Sequence, residues 1–453
     1  MDINHVLSAV NYYHHNAPTV GLYRDYFNGN HRYNFASPRF RQKFGWVLRS
    51  AKENLCPAVV YAHVDRLSIE SFGANLDEAQ QQGLTRLANL VHTEAFVSGQ
   101  GAAITWYRPG TKDRVAVFHR ADQIIPFIDS EQPDRLTHIG KVWLTPDGYG
   151  RINLYDAERL TRWVTTAKIT HITTPDRTSA LSLPDTAASW MPYNTDDAPS
   201  TEAHDFGTVP GVLWKRNAPS QFEDGISVLR DIISPQDRLN KVNADSVVAA
   251  ERIALPLRYV MDVNPEQLQP RLNPATGLVE PPRLPFDPDI DSILAMSAKG
   301  PAGQFEGPNA AHISTGKQDL EGEIARISGI PAYYLQQTSG DVPSGESLRV
   351  TTSRLTSAVS TFQQDATPAW KGQLELLGFQ NPVVEWADPS PMDTAEKIEV
   401  AVVKYRDLGY SLADAIVDLH EPDADKIVVN AAARTAADTD RVAGGLATGN
   451  FLS

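Results

Sequence analysis

Between Ser344 and Gly378 a single apolar stripe runs the length of a long helix. Leu348, Leu355, Phe362, Ala366, Trp370, Leu374 and Leu377 follow one another at intervals of seven, seven, four, four, four and three. That is the spacing of one helical face. It predicts a helix of roughly 33 residues, about 50 Å long, with a bend at Pro368. A rod of that length exceeds an ordinary small domain, so an elongated architecture is expected. A second helical pattern covers residues 226–255 through Ile226, Leu229, Ile232, Leu239, Val242, Val247, Ala250 and Ile253. Pro235 interrupts it, which predicts a kink or an approach turn before a main helix over 236–255, roughly 30 Å long. Leu320, Ile324 and Ile327 mark a third helix over 317–328.

The rest of the chain alternates between the two periods. Residues 1–16 read as a short amphipathic helix, with Val6, Leu7 and Val10 on one side. A polar, aromatic segment with Asn-Gly and Gly-Asn turn signals follows. Residues 38–56 read as a helix ended by Pro57, and AVVYAHV at 58–64 as a buried strand. A short strand is expected at 67–72 and a helix over 76–98. AAITWY and RVAVFH form one predicted hairpin, and KVWLTPDGYGRINLYD forms another around Asp147-Gly148. Residues 173–204 read as an irregular connection, and 256–310 as Pro- and Gly-rich with two strand-like pieces, LRYVMDV and ILAMS. A helical hairpin is expected over 393–431, with Gly409 capping its first helix and Ser411 starting its second. The fold class is α+β.

Charge and cysteine content narrow the functions available. The chain has 453 residues, with 41 Lys plus Arg against 55 Asp plus Glu, a formal charge of −14. This argues against coating nucleic acid by phosphate neutralisation but permits nucleic acid to slide past. Cys56 is the only cysteine, which rules out an internal disulfide and a thiolate metal cage. The N-terminus lacks the basic start and apolar core of a signal peptide. No uncharged apolar run approaches the ~20 residues of a membrane helix. The expected site of synthesis and assembly is a cytoplasm.

Motifs for chemistry are weak. SGDVPSGES precedes a helix, the setting for anion binding by backbone N–H groups. A nucleotide loop needs a Lys after its last glycine, whereas Gly345 is followed by Glu346. Ser344 lies outside any G-x-S-x-G and reads as a helix cap. His14 and His15 are adjacent rather than four apart, and DPDID at 287–291 lacks the Gly and Glu of a calcium loop. RYNFASPRFRQKF at 32–44 mixes basic and aromatic residues, a pattern shared by nucleic-acid patches and by solvated faces over buried rings. No catalytic residue, metal site or cofactor is expected.

Five separated segments, in order, resemble the portal proteins of tailed double-stranded DNA bacteriophages with long non-contractile tails. They are YRDYFNGNH; NLCPAVVYAHVDRLSIESFG; FGTVPGVLWKRN with Gly225 and the helix after it; ISGIPAYYL with PSGESLR and the long helix; and the terminal helical hairpin. The likeness spans roughly residues 20–425 and is poor over 173–204 and 286–310. The resemblance implies a head-tail connector, a ring usually of twelve subunits at one capsid vertex. DNA is packaged through its channel by the terminase and later ejected. It implies a wing at 1–225, a stem at 226–255 and 286–330, and a clip at 256–285. It further implies a tunnel-loop region at 331–343, a long wing helix with its return at 344–390, and a crown at 391–453. Gln336, Gln337, Thr338, Ser339 and Asp341 are then expected to face DNA. Arg258, Arg271, Glu280 and Arg283 are expected at the clip, against terminase and later the adaptor. The other implied partners are further copies of itself, the major capsid protein and the scaffold. The implied location is the portal vertex of the virion, with assembly in the host cytoplasm. An adaptor or another head protein without a channel, and a phosphate-binding enzyme, are the alternative readings.

Overall fold

In the computed structural model the described residues are 1–31, 37–73, 76–133, 135–169, 171–174, 177–195, 198–220, 223–254, 258–262, 271–280, 293–295, 299–305, 310–336 and 345–390, with 402, 403 and 406. Helix α1 (Ile3–Phe27) starts at Asp2, whose Oδ1 accepts from the backbone N–H of Asn4 at 3.1 Å. It runs eleven residues past the expected end at 16, through Pro18. Burial of Ala17, Val20 and Tyr26 continues the face begun by Val6 and Val10, and tertiary packing carries the helix past the proline. The Asn28-Gly29 turn ends it, with Gly29 at φ +75°. Helix α2 (Pro38–Ser50) follows.

AVVYAHV belongs to helix α3 (Cys56–Val64), not to a strand. Cys56, Val59, Val60, His63 and Val64 are buried, at helical spacing, while Tyr61 faces out. A short apolar run cannot reveal its own period, and its β-branched residues favoured the wrong state. Pro57 therefore opens a helix instead of ending one, in the first turn where no N–H partner is needed. After β1 (Ile69–Ser71), helix α4 (Glu78–Ser98) begins with a reciprocal capping box between Asp77 and Gln80.

Eleven strands follow: β2 (Gln100–Tyr107), β3 (Arg114–His119), β4 (Ile124–Ile128), β5 (Leu136–Leu144), β6 (Tyr149–Tyr155), β7 (Arg159–Lys168), β8 (His171–Thr174), β9 (Arg177–Leu181), β10 (Trp190–Pro192), β11 (Thr201–Ala203) and β12 (Gly211–Lys215). Both expected hairpins form, β2 with β3 and β5 with β6, and β12 pairs on the other side of β2. Strands β4 to β7 make an antiparallel meander, with β10 and β11 paired end to end along the free edge of β7. The stretch 173–204, expected to be irregular, thus holds strands. Most are three to five residues long, too short for alternation to show. One face of the meander packs Ile125, Val142, Ile152 and Leu154 against Val6, Ala9, Val10 and Tyr13 of α1. On the other side Ile139, Tyr155 and Leu160 meet Ala102 and Ile104 of β2.

Helix α5 (Ile233–Ala254) leaves this body after a turn at 228–232 and takes Pro235 into its first turn, three residues earlier than the expected start at 236. Short strands β13 (Arg258–Val260), β14 (Arg271–Leu272), β15 (Val279–Glu280), β16 (Ile293–Ala295) and β17 (Gly303–Gln304) precede helix α6 (Ala310–Ser328). β13 pairs in parallel with β16 and antiparallel with β17, while β14 and β15 form a hairpin. Helix α7 (Gly345–Leu376) is the predicted long rod, 32 residues. Leu355, Val359, Phe362, Ala366, Trp370 and Leu374 are all fully buried, so the stripe is the spine of the main core, among residues of α3, α4, α6 and β12. Its return, β18 (Glu385–Trp386), pairs with β1.

Two glycines fix the path into α5. Gly99 closes α4 at φ +93°, and a Cβ on Gly99 or on Gly225 would overlap the other's backbone carbonyl. The Arg216 N–H donates to the Gly99 carbonyl at 2.9 Å, and the Ile226 N–H to the Arg216 carbonyl at 2.7 Å. Met1–Pro389 form one compact unit and Ser390–Ser453 a second. Most of the expected 393–431 hairpin lies outside the described residues.

Candidate functional site

The region to which the sequence points is the α5–α6 pair, the strands between them and the chain leading into α7. The two helices run antiparallel. Arg238 near the start of α5 meets Glu323 near the end of α6 at 2.7 Å. One turn further along α5 and back along α6, Asn243 Nδ2 and Lys317 Nζ both donate to Glu53 Oε2, at 3.0 and 2.8 Å. The Glu53 carboxylate holds the Lys317 ammonium above its ordinary range. Glu321 also faces Lys317, at 3.6 Å, yet burial raises its carboxyl pKa.

The base of α5 is held by buried amides as well as by Leu239 in the main core. Gln236 is fully buried; its Oε1 accepts from the Leu55 N–H at 3.0 Å and its Nε2 donates to the Glu53 carbonyl at 2.8 Å. Asn240, 2% exposed, accepts from the Glu53 N–H at 2.9 Å and directs its Nδ2 at His31 Nδ1, 2.7 Å away. His31 in turn reaches the Tyr26 carbonyl and Asn54 Oδ1 through Nε2, and its ring stacks on Tyr26. Gln236, Asn240 and Asn243 escaped the sequence reading because amides on a helix read as a solvated face. Their spacing of four and three was the available signal.

This joint is expected to weaken in acid. Burial holds the His31 pKa below its ordinary 6.5, and a proton on Nδ1 would confront the Asn240 amide donor. Burial also depresses His63, to about 4. A depressed histidine contributes stability fully above 6.5 and loses it as pH falls, because the unfolded chain then binds more protons. The unfolding free energy from urea titrations is expected to fall as pH drops from 6.5 towards about 4, by up to about 1.4 kcal/mol per pH unit for His63, with His31 acting in the same direction. A flat profile over that window would show these histidines to be solvated.

At the far end of α6, Gly329 (φ +78°) donates to the Ala325 carbonyl at 2.9 Å and turns the chain. Arg354 of α7 caps the helix by donating to the Arg326 carbonyl at 2.9 Å. A single turn, 332–334, then presents Tyr334, whose hydroxyl accepts from Arg66 at 2.8 Å. Gln336 folds back, its Nε2 donating to the Gln318 carbonyl of α6 at 2.8 Å. Gln337, Thr338, Ser339 and Asp341 lie outside the described residues. Of the expected clip residues, Arg258 is in β13, and Arg271 and Glu280 are register partners across the β14–β15 hairpin. The hairpin exposes Leu278 and Val279 beside them. Arg283 lies outside the described residues, as do Ser344 and the DPDID acids. Among the described residues no group of three His, Cys, Asp or Glu is placed to hold a metal. No described helix is long and apolar enough to cross a membrane.

A family model described as phage portal protein, SPP1 Gp6-like, matches residues 74–402. The chain belongs to this portal family. Portal proteins are structural components of the phage, not enzymes. The portal protein of Mycobacterium phage D29 is 25% identical over 390 residues, covering 77% of this chain and 74% of that one. That of Mycobacterium phage L5 is 24% identical over 215 residues, 45% of this chain and 43% of its own. Among solved structures, a chain of the virion of a native gene transfer agent particle superposes with a TM-score of 0.45 at 13% identity, covering 84% of this chain and 92% of that one. A chain from the neck of the native particle, computed with C12 symmetry, gives 0.41 at 13% identity over the same shares.

Proposed function

We propose that this portal protein assembles as a ring of about twelve copies at one capsid vertex, where DNA enters during packaging and leaves at ejection. Family membership is the observation that carries the reading. The local geometry supports it: two antiparallel helices join a body of sheets and long helices to a distal set of short strands, the arrangement expected of wing, stem and clip. In this reading α5 and α6 are the helices of the stem, β13 to β15 belong to the clip, β16 and β17 to the second stem segment, and α7 is the long wing helix. Residues 391–453 are assigned to the crown. The clip, through Arg258, Arg271, Glu280 and Arg283, receives the terminase and later the adaptor, and the wing meets capsid protein and scaffold.

Charge fits a conduit. Twelve copies at −14 each carry about −168, and an acidic wall repels phosphates and lets a duplex slide, with salt setting the range. Negative-stain images of purified protein are expected to show rings with a central hole. A chain that stays monomeric even with its scaffold would exclude the reading.

The tunnel loop supplies a second test. It carries no positive charge from Gln336 to Pro343. Gln336→Lys with Gln337→Lys is expected to slow packaging while rings still form, because lysine at 336 can keep the bond to the Gln318 carbonyl while adding phosphate-gripping charge. Unchanged packaging rates would remove both residues from the DNA path.

A further inference from the structure

Three guanidinium groups meet in one cavity of about 310 Å³ beside the loop anchor. Arg216 comes from the end of β12, Arg230 from the approach to α5, and Arg354 from α7, with Gly329 and Ala358 also in the lining. Only one carboxylate, Asp231, shares the cavity, and it is taken: Arg230 Nε and Nη2 each lie 3.0 Å from one of its oxygens. Arg216 gives one N–H to the Ile226 carbonyl at 2.7 Å and stacks its guanidinium 5.0 Å over the Phe96 ring. Arg354 gives one to the Arg326 carbonyl. Neither has a carboxylate partner among the described residues. The cavity therefore keeps two formal positive charges, in a chain whose acids outnumber its bases by 55 to 41.

We infer that this cavity receives an Asp or Glu side chain from a second copy of the chain, held between Arg216 and Arg354. Size selects the ligand: the cavity takes a side-chain head group and is far too small for a duplex. Chemistry selects the anion, since guanidinium forks match a carboxylate in two-point contact. Charge selects the second copy. Subunits of −14 repel one another, so a ring needs local cation sites at its contacts, and an adjacent copy carries 55 acids against 41 bases. The position adds a consequence. A carboxylate there bridges α7 and the end of β12 at the point where α6 ends. One contact between subunits would tie each loop anchor to its neighbour.

The inference rests on the ring reading, and its test separates the two. Assembly of the full-length chain is followed by native mass spectrometry over a concentration series, for wild type, Arg354→Lys and Arg354→Gln. The glutamine variant gives up one exposed hydrogen bond to the Arg326 carbonyl, so its monomer is expected to melt within a few degrees of wild type. Its half-assembly concentration is expected to rise about tenfold or more, with Arg354→Lys in between. A photo-cross-linking residue at Ala358, in rings mixed from two isotope labels, is expected to capture an acid-bearing peptide of the other label. Rings from Arg354→Gln at wild-type concentrations, or cross-links confined to one label, would overturn this inference and leave the ring standing. Saturable stabilisation of the wild-type monomer by inorganic phosphate, absent in Arg354→Gln, would make the cavity a free-phosphate site and overturn it too. A wild-type chain that forms no rings would remove both readings.

Discussion

Trp370→Ala is expected to lower the unfolding free energy by about 3–5 kcal/mol, the range for deleting a fully buried large side chain. Trp370 is fully buried at the middle of the α7 stripe. Its ring lies 4.9 Å from that of Trp214 and 5.5 Å from that of Phe72, so truncation opens a cavity between α7, β12 and the β1 segment. A polar loss adds to the apolar one. Trp370 Nε1 donates to His92 Nε2 at 3.0 Å, and burial depresses the His92 pKa to about 3, which keeps the imidazole neutral and accepting. The Nδ1 of His92 has no partner among the described residues, so without Trp370 both ring nitrogens are stranded. Trp370→Phe separates the two effects. It keeps most of the volume and is expected to cost about 1–3 kcal/mol for the orphaned acceptor. Urea denaturation of the full chain at neutral pH measures both; a loss below about 1 kcal/mol for the alanine variant would mean the site collapses around the gap.

Glu94→Ala is expected to cost a similar 3–5 kcal/mol, by a different route. Glu94 sits on α4 with its side chain 6% exposed, and Arg24 Nη2 of α1 lies 2.6 and 2.5 Å from its two oxygens. The same carboxylate accepts from the Ser98 hydroxyl and the Ala121 N–H, each at 3.0 Å. Removing it strands a mostly buried guanidinium, a hydroxyl and a backbone N–H together. Replacing both ends, Arg24→Met with Glu94→Leu, is expected to recover much of the loss, because no isolated charge remains. A double-mutant cycle reads this directly. Additive single and double effects would show that the pair is uncoupled.

The long helix and the two hairpins were legible because their signals are local. The α7 stripe repeats over 32 residues, and Asp147-Gly148 names its own turn. Segments that were misread had local signals pointing the wrong way or none. AVVYAHV offered β-branched residues and a proline, yet became α3 because its buried face meets α4 and α7. Strands β10 and β11 exist because the edge of β7 was free to pair with them, which no window of three residues can announce.

The candidate site divides in the same way. The order helix, strands, helix, loop, long helix was readable from 226 to 378, and with it the family. The polar chemistry was not. Gln236 and Asn240 look like surface amides until Leu55 and Glu53 present backbone groups to them, and Arg216, Arg230 and Arg354 are scattered in sequence until the end of β12, the approach to α5 and α7 converge. By itself the sequence determined the long helices, the two hairpins, the net charge and the family, because periodicity, turn chemistry and composition are carried by neighbours along the chain. Only the tertiary structure decided which polar groups are buried, paired or left with charge to spare. Burial and hydrogen-bond satisfaction are set by partners far away in sequence, and in this fold those partners are brought by α1, the 52–56 segment and α7.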